Sequence, residues 1–315
     1  MTTNYPIRVI FMGTPGFALP AFQALANNDK FEVIAAYTQP DRPVGKKQTL
    51  LPSAVKIFAQ KQNIPVYQPA DINNQTTIKQ IKLLAPDIIV VVAYGMILPT
   101  AILNIPKYGC VNIHASLLPR WRGASPIAFA ILNGDVETGV TYMLMDEKLD
   151  HGPILKQIKA PISSEDTLDT LSEKLAKLGT ENLCQTLLDY VENVINPLPQ
   201  DDSAATVAKS LTRDDAKIDW HEPAERVERK IRAFDPWPGT FCLWNDKRLK
   251  INKAKLGTDE PVLEPGEVRK IDERVLIGTG QGNLEISELQ LEGKKPIQIK
   301  EFLNGFSDFN GARLI

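Results

Sequence analysis

The chain has 315 residues, which at roughly 150 per domain suggests about two domains. Its 43% hydrophobic and 23% charged content is that of an ordinary globular protein and excludes a disordered, collagen-like or polar-repeat chain. With 36 basic against 38 acidic residues, a net charge of -2, it lacks the global basic excess of a nucleic-acid binder, and three cysteines without a CxxC pair and three histidines argue against a disulfide framework, a zinc ribbon or a metal cluster.

The opening MTTNYPIRVIFMG has no basic stretch followed by a long apolar core, so it does not read as a secretory signal. Residues 8–12 read as a strand that ends in the turn Gly13-Thr14-Pro15-Gly16, with helical spacing over 17–25. A β-branched run at 31–38 predicts a second strand, and the polar stretch QPDRPVGKKQT a long loop. Ser53 is placed to cap a helix running to about Gln62. Residues 87–92, bounded by Pro86 and Gly95, form a continuous apolar run of the kind a parallel sheet buries on both faces. The longest apolar run, 88–93, is far short of the roughly 20 residues a membrane span needs. Further strands are expected at 109–113 and 139–145, and this β-α-β rhythm predicts an α/β fold with an open, mostly parallel sheet. A long helix is expected over 167–194, ending where Pro197 and Pro199 cannot continue it. Residues 196–208 read as a linker between a first domain (1–195) and a second (209–315). The second domain carries short strand-like pieces at 241–243, 249–251, 267–271, 275–277 and 284–291, which suit a small β-barrel.

Three segments are candidates for chemistry. The turn at 13–16 lacks the G-x-G-x-x-G spacing of a dinucleotide site and reads first as a tight strand-to-helix turn lining a cleft. In GCVNIHASLLPRWRGASPI, residues 109–127, strand alternation sends Asn112 and His114 to the face opposite Val111 and Ile113. An amide and an imidazole aimed at one space can donate to a developing oxyanion, although a lone strand-end histidine is as readily a satisfied structural residue. The third segment, 146–153, gathers Asp146, Glu147 and Asp150 before Gly152-Pro153, either as a proton relay to His114 or as a solvated turn. No GxSxG elbow accompanies Ser116, and Cys110 lies in an apolar strand, so neither serine nor cysteine nucleophiles are supported.

Asn112, His114, Ser116-Leu117-Leu118-Pro119 and the later Leu149-Asp150-x-Gly152 together resemble the catalytic pattern of the 10-formyltetrahydrofolate-dependent formyltransferases. FMGTPGFALP, TQPDRPVGKK and SLLPRWRGASPI, with KIDW and IRAFDPWPGTF in the second domain, resemble the branch of that family that acts on methionyl initiator tRNA. The resemblance runs from about residue 7 to the end and implies a Rossmann-like catalytic domain followed by an OB-like barrel that holds tRNA. It implies formyl transfer from 10-formyltetrahydrofolate to the α-amine of the esterified methionine. Asn112 and protonated His114 would stabilise the tetrahedral oxyanion, Asp150 would hold the imidazole, and Ser116, Leu117, Leu118 and Pro119 would contact folate. No metal or covalent enzyme intermediate is required, and the family suggests a monomer, while the few unpaired cysteines make a reduced, cytoplasmic protein the default. The alternatives are an amino-sugar nucleotide formyltransferase, a formyltetrahydrofolate hydrolase, or a non-catalytic RNA-binding protein. Lys148 stands where the family commonly has glycine, and His151 where it commonly has threonine or serine. The loop after Asp41 keeps Arg42, Lys46 and Lys47 for the acceptor stem but continues with neutral Gln48 and Thr49.

RNA binding needs local cations, because neutralising phosphates supplies much of the affinity. Residues 226–255 hold nine basic side chains against three acidic ones, a local charge of +6 concealed by the global balance. Arg229 and Lys230 on a predicted helix, with Lys247 and Arg248 on the strands beyond, are the candidate tRNA contacts, and Trp237 and Trp244 lie beside them.

Overall fold

The computed structural model describes residues 5–44 and 49–315. They fall into two compact units. The first comprises the chain up to Pro126, Glu137–Pro161 and Ser172–Ala208; the second comprises Ile127–Val136, Ile162–Leu171 and Lys209–Ile315.

In the first unit, β1 (Ile7–Gly13) leads through a 3₁₀ turn, Gly16–Ala18, into α1 (Leu19–Ala26) and then β2 (Phe31–Tyr37). The tight turn depends on Gly13, where a Cβ would meet Ala18 Cβ at 2.9 Å and the Val92 carbonyl at 3.0 Å. The polar stretch expected to be a loop instead contributes two short antiparallel strands, β3 (Arg42–Val44) and β4 (Thr49–Leu51). Helix α2 (Ala54–Lys61) is capped as expected, Ser53 Oγ accepting the Lys56 N–H at 3.0 Å. There follow β5 (Val66–Tyr67), α3 (Gln75–Leu84), β6 (Ile88–Val92), α4 (Thr100–Leu103), β7 (Cys110–His114), β8 (Arg122–Gly123), α5 (Pro126–Leu132), β9 (Glu137–Leu144) and β10 (Ile154–Pro161).

The main sheet has the order β10-β9-β7-β6-β1-β2-β5. Its pairs from β7 to β5 are parallel, whereas β9 runs antiparallel to both β7 and β10. The fully buried Ile-Ile-Val-Val-Val of β6 occupies the middle, where β-branched side chains pack on both faces of a covered sheet. The chain moves from β2 and β5 back across β1 to β6, so the strand order reverses beside β1, and sheets of this kind bind ligands outside the carboxyl ends of such strands.

The helix expected over 167–194 is two helices, α6 (Leu168–Glu181) and α7 (Leu183–Val191). Asn182 separates them: its amide donates to the Leu178 carbonyl at 3.3 Å and its Oδ1 accepts from Lys156 at 3.4 Å, bonds that compete with the helical ladder. The segment expected to be a linker lies on the first unit. Leu198 pairs with Ile154, and β11 (Val207–Ala208) adds to β8 in parallel register.

The second unit carries α8 (Ala224–Ala233), β12 (Phe241–Trp244), β13 (Lys247–Leu256), β14 (Val268–Ile271), β15 (Arg274–Gly278), β16 (Asn283–Leu291), β17 (Ile297–Gln298) and α9 (Ile299–Gly305). Its antiparallel sheet, β12-β13-β16-β15-β14, curls into an OB-like half-barrel. The final residues bridge its two edges: Gly311 and Leu314 donate to Val268 and Gly266 beside β14, while Ile315 and Leu243 of β12 exchange both backbone bonds. Inside, Trp244 packs against Phe302, Phe306 and Phe309 at centroid distances of 5.6, 5.5 and 5.2 Å. Two earlier stretches join this unit because α8 binds them. Arg226 donates to the Leu132 carbonyl at 3.2 Å, and Arg232 to the Asp166 carbonyl at 2.8 Å.

Candidate active site

Strand β7 places Asn112 and His114 at its carboxyl end, in register with Met143 and Thr141 of β9. The turn after β9 returns Asp150 to them across more than thirty residues of sequence. Its Oδ1 accepts from Asn112 Nδ2 at 3.3 Å and lies 3.6 Å from His114 Nδ1, while its Oδ2 accepts the Gly123 N–H at 2.8 Å. The pair is nearly enclosed, with side-chain exposures of 6% for His114 and 11% for Asp150, so its electrostatics are little screened by water. Nε2 of His114 faces the Trp121 carbonyl at 2.9 Å, so both ring nitrogens look onto acceptors.

Asn112 spends one amide N–H on Asp150 and retains a second donor. Nδ1 of His114 stands 3.6 Å from Asp150 Oδ1, beyond full hydrogen-bonding distance. An amide donor, an imidazole and a carboxylate therefore converge at one point. That set can stabilise an oxyanion and carry a proton between two nitrogens. The donor set is all nitrogen and oxygen, and among the described residues no three His, Cys, Asp or Glu side chains group as a metal site.

The segment 116–119 is placed differently from a simple ligand-facing stretch. Ser116 is fully buried and its hydroxyl donates to the Arg120 carbonyl at 2.6 Å. Leu118 is buried, its N–H bound to Thr141 Oγ1 at 3.1 Å, which leaves half-buried Leu117 and Pro119 as its outward side chains. Thr14 of the first turn donates to the Tyr94 carbonyl at 3.0 Å, tying the β1 turn to the loop after β6. Cys110 is core, and burial pushes its thiol up to about 12.

Sequence reasoning missed the groups that hold Asp150. Beside the Gly123 N–H these are Gln200, Arg122 and Asp202, brought to the 146–152 turn from up to 51 residues away. His151 spans two carboxylates, Nδ1 at 2.6 Å from Asp146 and Nε2 at 3.3 Å from Asp202. Asp202 is held below the usual carboxylate range, chiefly by its hydrogen bond with Arg122.

The cationic candidates separate. Arg42 is exposed on β3 and donates to Gln39 at 3.0 Å, while Lys46 and Lys47 lie outside the described residues. The +6 stretch is no bare cationic face. Arg229 pairs with Glu225 at 3.3 Å, Arg232 with Glu228 at 2.5 Å, Lys253 with Glu288 at 3.9 Å and Lys255 with Glu285 at 3.2 Å. Lys230 donates to the Lys217 carbonyl at 2.5 Å, and burial lowers its pKa. Among the described residues, the side chains of Lys247, Arg248 and Lys250 on the β12–β13 hairpin pair with no carboxylate; the Arg248 backbone N–H donates to Glu292 at 3.2 Å, and its guanidinium lies 4.4 Å from the centroid of the Phe241 ring. Trp237, on the preceding turn, is 52% exposed, whereas Trp244 is core.

The chain belongs to the formyl transferase family: the profile described as "Formyl transferase" matches residues 7–187, and "Formyl transferase, C-terminal domain" matches 210–307. Among its relatives is the methionyl-tRNA formyltransferase of Hahella chejuensis, 46% identical over 301 residues that cover 95% of this chain and 94% of that one. The methionyl-tRNA formyltransferase of Geobacter sulfurreducens is 43% identical over 309 residues, covering 98% and 96%. Two solved structures share the fold. WlaRD, a sugar 3N-formyl transferase solved with dTDP and 5-N-formyl-THF, superposes with a TM-score of 0.64 at 22% identity over 92% of this chain and 99% of that one. HypX from Aquifex aeolicus, in complex with tetrahydrofolic acid, has a TM-score of 0.61 at 18% identity over 95% of this chain and 47% of that one, so the chain spans about half of HypX.

Proposed function

We propose that the chain transfers the formyl group of 10-formyltetrahydrofolate to the α-amino group of methionine esterified to initiator tRNA. The observation that carries this reading is the convergence of Asn112, His114 and Asp150 on one point, in a chain similar end to end to methionyl-tRNA formyltransferases. The folate supplies an activated formyl group. The amine is a nucleophile once neutral, so the protein's work is positioning and charge stabilisation.

The amine nitrogen bonds to the formyl carbon, the carbon's bond to the folate nitrogen breaks, and one proton passes from the amine to that leaving nitrogen. The second N–H of Asn112 and the Nδ1 proton of His114 would bear the oxyanion formed between those events. His114 would then deliver a proton to the leaving nitrogen, and Asp150 would keep the ring turned to both tasks. Leu117 and Pro119 would touch folate, with Ser116 and Leu118 shaping the segment from inside. Lys247, Arg248 and Lys250 would bear on tRNA phosphates, with Arg42 as a further contact; Arg229 and Lys230 are already engaged within the protein. The chain would act as a cytoplasmic monomer.

The deciding experiment supplies 10-formyltetrahydrofolate together with methionyl initiator tRNA, with an amino-sugar nucleotide, or with buffer alone. Formyl-methionine should appear only with the tRNA. Formylation of the sugar nucleotide but not the tRNA would refute this reading, and release of formate at the same rate in buffer would indicate a hydrolase.

A further inference from the structure

Asp150 adopts a left-handed backbone with φ +49°, a conformation that aspartate tolerates better than most residues but less freely than glycine. Its turn is held by the segment that precedes the second unit. Gln200 Nε2 donates to the carbonyls of both Asp150, at 3.0 Å, and Gly152, at 2.8 Å, thus bridging the turn that carries the carboxylate. The amide is itself oriented, because its Oε1 accepts from Arg122 Nε at 3.0 Å and Nη2 at 2.8 Å, which turns the NH₂ toward the carbonyls. Arg122 is anchored in turn by Asp202 at 2.8 Å.

The next residue closes a ring, since the Gly123 N–H donates to Asp150 Oδ2 at 2.8 Å. Asp150 is thus gripped twice from one short strand, at its carboxylate by Gly123 and at its carbonyl through Arg122 and Gln200. That strand is fixed by the β8–β11 pairing and by the Trp121 N–H bond to Thr206 Oγ1 at 2.8 Å. A carboxylate on a left-handed residue is displaced by any relaxation of its turn. Misplacement of about 1 Å at a reacting group can cost roughly a hundredfold in rate.

We infer that Gln200 is a positioning residue for the formyl transfer, holding the Asp150 turn so that the carboxylate stays on Asn112, His114 and the Gly123 N–H; this rests on the reaction proposed above. Gln200 touches no reacting atom and acts through Asp150.

The test uses the full-length chain with Gln200→Leu, which keeps the volume and removes both donors. Turnover, kcat, should fall by roughly tenfold to a hundredfold while KM for 10-formyltetrahydrofolate and for methionyl-tRNA stays within about twofold, the split expected of impaired positioning. In an Asp150→Asn background the same change should cost nothing further, because two residues acting as one unit are not additive. A readout independent of activity is the His114 ring resonance by NMR, which should move in Gln200→Leu in the direction that Asp150→Asn moves it. Unchanged kcat, or additive losses with an unmoved His114 resonance, would overturn the inference. If the wild-type chain fails to formylate tRNA but the resonance moves as described, the functional reading fails and the positioning role stands. Should Gln200→Leu not fold, Arg122→Lys keeps a cation for Asp202 and loses the two-pronged hold on Gln200. It should show the same kcat and resonance changes at smaller size, and their absence would also overturn the inference.

Discussion

In the proposed reaction Asn112, His114 and Asp150 would form no covalent bond to substrate, and each would act through one or two donated or accepted protons. His114→Ala would remove the proposed proton carrier and should lower kcat by roughly 10²–10⁴-fold, the range of general acid–base contributions. Asp150→Ala should also impair kcat strongly, since it frees a ring otherwise kept 3.6 Å from a carboxylate. Both variants should bind methionyl-tRNA as the parent does in a filter-binding titration; equal loss of turnover and binding would contradict the roles assigned to them. The amide and imidazole were legible from strand alternation alone, because a period of two sends positions 112 and 114 to one face. Asp150 was legible only as a member of an acidic turn with a solvated alternative, and the resemblance singled it out. Gln200 carried no signal. It lies in a Pro- and Asp-rich stretch that reads as a linker, and a glutamine's importance depends on which carbonyls stand 3 Å away, which spacing along the chain does not specify.

At the scale of elements, the β12–β13 hairpin shows how pairing redistributes charge. Lys253 and Lys255 point toward glutamates of β16, and Arg229 and Arg232 pair one helical turn back along α8, so those four cations are largely answered within the unit. The side chains of Lys247, Arg248 and Lys250 have no such partner and are the proposed contacts for tRNA phosphates. Replacing all three with alanine should weaken tRNA binding and flatten the plot of log affinity against log salt by roughly 0.7–0.9 for each phosphate no longer neutralised. The same change at Arg229 should leave that slope nearly intact, and a slope unaltered by the hairpin variant would show those residues to be solvated surface only. Strands and helices with a continuous pattern were readable in advance: β6 from its unbroken β-branched run, α2 from Ser53. The break at Asn182 was hidden because asparagine is tolerated on helices until its side chain finds competing partners, here Leu178 and Lys156.

Across the whole molecule, stability should carry an acid-sensitive component. Asp215 is held down to about 2 by hydrogen bonds from Lys209 and from the Thr212 side chain and N–H. Its folded value lies below the unfolded value of about 3.9, so its contribution is present above about pH 4 and is lost as pH falls through about 2. Asp41, Asp202, Asp219, Glu267 and Glu273 shift in the same direction, and Asp235, raised mainly by burial, shifts the other way. Urea midpoints measured from pH 7 to pH 2 should therefore fall steeply below about pH 4, and Asp215→Asn should lie below the parent at pH 7 and converge on it near pH 2. The sequence by itself determined the α/β class, the later β-rich half-barrel, and Asn112 and His114 as one polar pair, because these follow from local periodicity and from motifs contiguous in the chain. Tertiary structure alone decided three things. It made residues 196–208 a strap on the first unit, assigned 127–136 and 162–171 to the second, and tied six of the nine cations of the +6 stretch to carboxylates or a carbonyl, leaving the three on one hairpin. The first two turn on hydrogen bonds between residues remote in the chain, which leave no periodicity to read, and the third turns on the pairing of Lys253 and Lys255 with glutamates of β16 in addition to the i,i+4 pairs along α8.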